Sequence, residues 1–111
     1  MSERHNGIIE LNESSFSSEV LDAEEPVLVG FLAGWSESSR MIAPLLESVA
    51  HERAGEVKVT AVNFDEHEGL ARHYGVRAVP TLLIFNRGSV WHQIAGCITS
   101  RELHSMLDLF A

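Results

Sequence analysis

The chain has 111 residues, 45% of them hydrophobic, and a formal net charge of −8 at pH 7. This length suits a single domain over residues 1–111, with one core that needs neither disulfides nor metal. The acidic balance argues against nucleic acid and anionic membranes as partners, and no apolar run is long enough to cross a bilayer.

The single cysteine, Cys97, rules out an internal disulfide and gives no sign of an oxidising compartment. The segment Met1–His5 lacks the basic start and apolar centre of a signal peptide, so we expect a cytoplasmic protein. Residues 1–6 are polar, and we expect a flexible N-terminus there.

The first half of the chain alternates strand and helix patterns. An apolar run rich in β-branched residues predicts a strand buried on both faces, and apolar residues at helical spacing after a tight turn predict a long helix. In chain order we expect a strand at Ile8–Leu11, a short helix ending before Pro26, a strand at Val27–Leu32 and a helix from about Ser36 to Arg53.

The second half continues this order and closes with a hairpin and a helix. We expect a strand at Val57–Phe64, a helix at Glu66–His73, strands at Leu82–Phe85 and Val90–Ala95, and a last helix after the capping box Thr99–Glu102. The fold class is therefore α/β, with a mixed central sheet of about five strands flanked by about four helices.

The segment around Trp35 resembles the active-site strand, loop and helix of thioredoxin, whose loop reads Trp-Cys-Gly-Pro-Cys-Lys. The matching positions are Phe31, Ala33, Trp35, Met41, Ile42, Ala43 and Pro44. Further landmarks follow in the expected order at Asn63–Asp65, Tyr74–Arg77, Val79–Thr81 and Asn86–Gly88. The resemblance runs from about Phe16 to the C-terminus and implies the thioredoxin fold.

The chain departs from the resemblance at the residues that carry the redox chemistry. Ser36 and Ser39 replace both cysteines, and serine forms no disulfide. Gly30 stands where thioredoxins have a buried aspartate, Ala61 replaces a lysine near that aspartate, and Leu32 replaces a tryptophan. We therefore expect no dithiol oxidoreductase activity.

The resemblance also implies a cis peptide between Val79 and Pro80, beside the Trp35 loop. In thioredoxins the residue before this proline pairs its backbone with an extended piece of the partner protein. Either this peptide groove survives here, or the proline persists only because the fold turns there. The groove would consist of Trp35, Ser36, Val79, Pro80, Gly96 and Cys97.

Several side chains have a structural and a functional interpretation. The hydroxyls of Ser36 and Ser39 fit a helix cap better than a hydrolytic nucleophile, because no Gly-x-Ser-x-Gly elbow is present. Asp65 is best explained as a helix cap. Trp35 either anchors a partner or packs over the end of the sheet, whereas Trp91 is expected to pack against its neighbours.

Cys97 is the only thiol, and a lone cysteine usually behaves as a small hydrophobic residue. If exposed, it could form a mixed disulfide or link two chains. The six histidines show no zinc-site spacing, so we expect no metal and no cofactor.

The sequence favours a thioredoxin-like protein without dithiol redox chemistry that acts by non-covalent binding, in a chaperone-like, assembly or regulatory role. Two alternatives stay open: a thiol–disulfide exchange protein of cell redox homeostasis that uses Cys97, and a structural homodimer module. The expected partner is a protein or an extended peptide segment, and a homodimer is possible.

Overall fold

The computed structural model describes the backbone of residues 3–110 and the side chains of residues 6–110. Its strands are β1 Glu3–His5, β2 Ile8–Leu11, β3 Val27–Leu32, β4 Lys58–Asn63, β5 Thr81–Asn86 and β6 Ser89–Ala95. Its helices are α1 Glu13–Phe16, which continues as a π-helical segment Ser17–Leu21, α2 Glu37–Glu52, α3 Glu68–His73 and α4 Ser100–Leu107.

The strands form one mixed sheet in the order β1-β2-β4-β3-β5-β6. Strand β4 runs parallel to its neighbours β2 and β3, and the other pairs are antiparallel. This arrangement is the thioredoxin fold that the sequence predicts. The sheet has six strands rather than about five, and the additional strand is β1.

Strand β1 lies in the segment that we expected to be a flexible terminus. Glu3 pairs with Glu10 and His5 pairs with Ile8. The turn between β1 and β2 is Asn6-Gly7, and both residues have positive φ, 52° and 82°. Asn-Gly is favoured in two-residue hairpin turns, because both of its residues tolerate this conformation. The turn chemistry therefore outweighs the lack of apolar residues in β1.

The core lies on both faces of β3, the central strand. Residues Val27 to Phe31 are all buried, which confirms the strand predicted to be buried on both faces. Val29 and Phe31 pack in a cluster with Phe16 and Phe85 on one face. Leu28 packs on the other face, in a cluster with residues of α2, α4 and β5 that include Leu46, Leu82 and Leu103.

An aromatic cluster closes the first of these two cores. The ring of Tyr74 lies 5.4 Å from that of Phe16 and 5.3 Å from that of Phe85, centroid to centroid. Burial in this cluster raises the pKa of Tyr74 above its ordinary value of 10.0, since it disfavours the charged phenolate.

The capping box predicted at the start of α4 is confirmed. The Thr99 hydroxyl accepts a hydrogen bond from the Glu102 N–H, and the Glu102 carboxylate accepts from the Thr99 N–H. No helix of the described part of the chain is long and apolar enough to cross a membrane.

Candidate functional site

Three loops meet at one end of the sheet because of the strand register. Phe31 on β3 pairs with Thr81 on β5, and Thr81 pairs with Ala95 on β6. Beyond these pairs, the Gly96 N–H donates to the Pro80 carbonyl oxygen at 2.8 Å. The Trp35 loop after β3, the segment before β5 and the segment after β6 are therefore neighbours, as the resemblance implies.

The peptide bond between Val79 and Pro80 is cis, which confirms the sequence prediction. Pro80 is buried and Val79 is half-buried. Among the described residues, neither the N–H nor the carbonyl of Val79 has a backbone hydrogen-bond partner. Backbone groups of this kind can pair with an extended peptide.

Ser36 and Ser39 hold the start of α2. The Ser36 hydroxyl accepts from the Ser39 N–H at 3.1 Å, and the Ser39 hydroxyl accepts from the Ala33 N–H at 3.2 Å. Ser36 is therefore the N-cap, as predicted, whereas Ser39 lies inside α2 and its hydroxyl binds the preceding loop instead of capping the helix. In the described part of the chain, neither hydroxyl contacts a histidine or a carboxylate that could activate it as a nucleophile.

Trp35 projects from the loop, with 67% of its surface exposed, so it does not pack over the end of the sheet. Its indole N–H donates to the Asp65 carboxylate at 2.7 Å. The predicted role of Asp65 as a helix cap is wrong: the N-cap of α3 is His67. The Asn63 side chain makes the local turn instead, where its oxygen accepts the N–H groups of Asp65 and Glu66.

Cys97 is exposed. It follows Gly96, which has a φ of 88° and open space around the position of a Cβ atom. The approach to the thiol is therefore not obstructed at Gly96. Trp91 stacks edge-on against Phe110 at 5.7 Å, but 58% of it is exposed, so its predicted packing is only partial.

A cavity of about 540 Å³, which the sequence did not predict, is lined by no residue of β5, β6 or the segments that contain Pro80 and Cys97. It is lined by the end of β2, the ends of β3 and β4, and the first turns of α2. Two of its residues, Leu32 and Ala61, are positions where the chain carries smaller side chains than the resemblance implies. We refer to it as the β2–β4 cavity.

A contact between a histidine and a carboxylate borders this cavity. His67 Nδ1 lies 2.6 Å from a carboxylate oxygen of Glu13. A hydrogen bond from its own backbone, together with His67, holds the pKa of the Glu13 carboxyl below its usual value. Among the described residues, no group of three His, Cys, Asp or Glu side chains could hold a metal ion.

The Thioredoxin family model matches residues 7–109. Thioredoxin 1 of Nostoc sp. is 38% identical over 99 residues, which cover 89% of this chain and 92% of that protein. The thioredoxins of Synechocystis sp. and Pseudomonas aeruginosa are 38% and 39% identical over 101 residues, with 91% of this chain and 94% of each relative covered.

These comparisons contradict the expectation of a protein that lacks redox chemistry and acts by non-covalent binding. Relatives with 38–40% identity over most of the chain are named thioredoxins, which favours the alternative of thiol–disulfide exchange. Ser36 and Ser39 cannot form a disulfide with each other. The thiol available for exchange is therefore Cys97.

Proposed function

The chain belongs to the thioredoxin family, and on this premise we propose that it carries out thiol–disulfide exchange through its single thiol, Cys97. The observation that carries the proposal is the position of this residue. Cys97 is exposed and directly follows Gly96, whose N–H is bonded to the carbonyl of Pro80. A disulfide brought to the Val79–Pro80 segment would thus come next to the only sulfhydryl of the chain.

The substrate of this exchange is a disulfide within an extended segment of another protein. The N–H and carbonyl groups of Val79, which have no backbone partner within residues 3–110, support this choice, because they can add a short stretch of β pairing to a bound peptide. Trp35 supports it as well, since its large exposed ring lies in the neighbouring loop and can contact the same peptide. The partner-binding groove then comprises Trp35, Ser36, Val79, Pro80, Gly96 and Cys97.

The reaction has two steps, each an attack of a thiolate on a disulfide sulfur. In the first, the Cys97 thiolate attacks one sulfur of the substrate disulfide, forms a mixed disulfide with it, and releases the other sulfur as a thiolate. In the second, the thiolate of a small reduced thiol attacks the substrate sulfur of this mixed disulfide. Cys97 is released as a thiolate, and the substrate keeps a disulfide to the small thiol.

Cytoplasm is the compartment that we propose for this chemistry. A protein with one thiol cannot store its oxidised state in an internal disulfide, so it depends on a pool of reduced small thiols to release its substrate. Glutathione and thioredoxin systems maintain such a pool in the cytosol.

The first experiment follows the thiol. Reduced full-length protein is mixed with glutathione disulfide, and intact mass spectrometry measures the gain of one glutathionyl group over time. We expect the modification in the wild type and none in Cys97→Ser. The proposal is wrong if the wild type reacts no faster than a short unfolded peptide that spans residues 94–100.

The second experiment tests the groove with a fluorescent peptide disulfide as substrate. Loss of a central aromatic contact costs more than about 1 kcal/mol, so Trp35→Ala should slow exchange with the peptide several-fold. The same variant should react with glutathione disulfide at the wild-type rate. Trp91→Ala is the matched control, since Trp91 is similarly exposed but lies outside the groove. Equal effects of both variants would contradict the groove.

A further inference from the structure

We propose that the β2–β4 cavity binds a small organic acid with an apolar body and a carboxylate. The volume of about 540 Å³ falls within the ~300–1,000 Å³ that is typical of small-molecule sites. No residue of the groove around Cys97 lines the cavity. The proposal is therefore independent of thiol–disulfide exchange.

The inner wall of the cavity is apolar and made of small side chains. Leu11 and Val62 are buried on β2 and β4, and Ala33, Ala43 and Ala61 stand where larger residues would fill the space. These side chains can contact an apolar group of a ligand, and they carry no polar atoms that need hydrogen bonds. An aromatic ring or a short branched chain fits this description.

Two side-chain amides on the rim can act only as donors. The Asn12 oxygen already accepts from the Ser15 N–H and from the Ser14 hydroxyl, both at 2.9 Å. The Asn63 oxygen accepts from the Asp65 N–H at 3.0 Å and from the Glu66 N–H at 3.2 Å. These bonds fix the orientation of both amides, because an NH₂ group could not accept them. Both NH₂ groups remain without an acceptor among the described residues, and they favour a ligand that carries acceptor oxygens.

Arg40 supplies the positive charge. Its guanidinium donates from Nη1 to the Gly34 carbonyl at 2.6 Å, and within the described part of the chain no carboxylate lies within 4.0 Å of it. Its remaining N–H groups are in the geometry that carboxylates accept as a pair. Glu10 and Glu66 also line the cavity and oppose an anion. These two carboxylates and Arg40 are all exposed, so solvent screens the repulsion and the attraction alike. The choice of an acid therefore depends on the paired hydrogen bonds that the Arg40 guanidinium can donate.

The test uses 1-naphthoate as the probe, with its neutral amide 1-naphthamide and the cation 1-naphthylmethylammonium as comparisons. Each is titrated into the ¹⁵N-labelled full chain, and amide chemical shifts are followed. We expect saturable shifts at Ala33, Arg40 and Ala61 with naphthoate, with a Kd on the order of 1 mM for a ligand of this size. The amide should bind several-fold more weakly and the cation more weakly still.

Variants then connect the binding to the cavity. Ala61→Phe fills the space and should reduce naphthoate affinity at least tenfold, and its spectrum reports in the same experiment whether the chain is folded. Arg40→Gln should reduce naphthoate affinity several-fold and leave naphthamide affinity unchanged. Arg101→Gln is the matched control, because it removes the same charge from an exposed position on α4.

Four outcomes would overturn the proposal. They are the absence of saturable shifts, shifts centred on Cys97 or Trp91, tighter binding of the cation than of the acid, and an equal loss of affinity in Arg40→Gln and Arg101→Gln. Because none of these readouts requires the Cys97 thiol to react, a failed exchange assay leaves them unaffected.

Discussion

Replacement of Gly30 by aspartate should make folding stability strongly pH-dependent. Gly30 lies in β3 between Ala61 and Leu82. A Cβ atom added there would lie 3.0 Å from Leu46 Cδ1, 3.4 Å from Leu82 Cδ2 and 3.7 Å from Leu32 Cγ. All three neighbours are apolar, so a carboxylate at this position loses its hydration and gains no partner. We expect its pKa to rise far above the ordinary aspartate value.

Two terms set the size of the effect. Crowding against Leu46 costs about 1–3 kcal/mol, since the leucine must shift by a few tenths of an ångström. We take a pKa of about 3.9 in the unfolded chain and about 8 in the fold. At pH 7 the cost of the charge is about 1.4 kcal/mol for each of the roughly three pH units between 3.9 and 7, which gives about 4 kcal/mol. The total of roughly 5–7 kcal/mol is comparable with the whole stability of a small domain.

The pH dependence follows from the sign of this shift. The folded pKa lies above the unfolded one, so the protonated carboxyl costs nothing extra below about pH 4, and stability is lost as the pH rises towards about 8. Urea denaturation at about pH 4 and about pH 7 measures the free energy of unfolding before the loss begins and after most of it has occurred.

Gly30→Asn separates the charge from the polar shape, and Gly30→Ala measures crowding alone. We expect Gly30→Asp and Gly30→Asn to be similar in acid and to diverge at neutral pH, with the aspartate variant less stable. If the two variants stay equal at neutral pH, the carboxylate is hydrated, and the reasoning from its apolar neighbours is refuted.

Three further predictions concern caps and titrating groups. Ser36→Ala removes the N-cap of α2 and should lower the free energy of unfolding by about 1 kcal/mol in urea, whereas Ser38→Ala should change it by much less. Hydrogen bonds from the Thr99 hydroxyl and N–H lower the pKa of Glu102. This carboxylate therefore stabilises the fold at pH values above its ordinary pKa of 4.5, and the stabilisation is lost as the pH falls below that value. In Glu102→Gln the melting temperature should therefore fall less steeply than in the wild type as the pH is lowered below 4.5. An equally steep fall in both proteins would contradict this. Burial raises the pKa of Tyr74, so stability should fall as the pH passes 10.0, and Tyr74→Phe should abolish that loss.

Local sequence patterns were sufficient wherever one segment carries the whole signal. The run Val27–Leu32 is apolar throughout, and the structure has the strand at those bounds. The capping box at Thr99 needs only four consecutive residues, and the N-cap at Ser36 needs only the change from strand to helix periodicity. The cis peptide before Pro80 was implied by the resemblance alone.

Long-range pairing explains the errors. The Asp65 side chain follows a strand and precedes a helix, where a cap is the usual role, but its partner Trp35 lies 30 positions earlier in the chain. Strand β1 has a polar sequence, and its partner is the backbone of β2. The β2–β4 cavity depends on side-chain sizes in four separate elements, and no single segment carries that information.

The Trp35 loop separates the two proposed sites, and its hydrogen bonds show why they can be tested independently. The loop is fixed to α2 through the Ala33 N–H and the Gly34 carbonyl, and to the segment after β4 through the Trp35 indole. None of these bonds involves β5, β6, Pro80 directly before β5, or Cys97 after β6. Cys97→Ser should therefore leave naphthoate binding unchanged, and Ala61→Phe should leave the reaction with glutathione disulfide unchanged. A change in either cross-measurement would mean that the loop transmits a change from one side to the other.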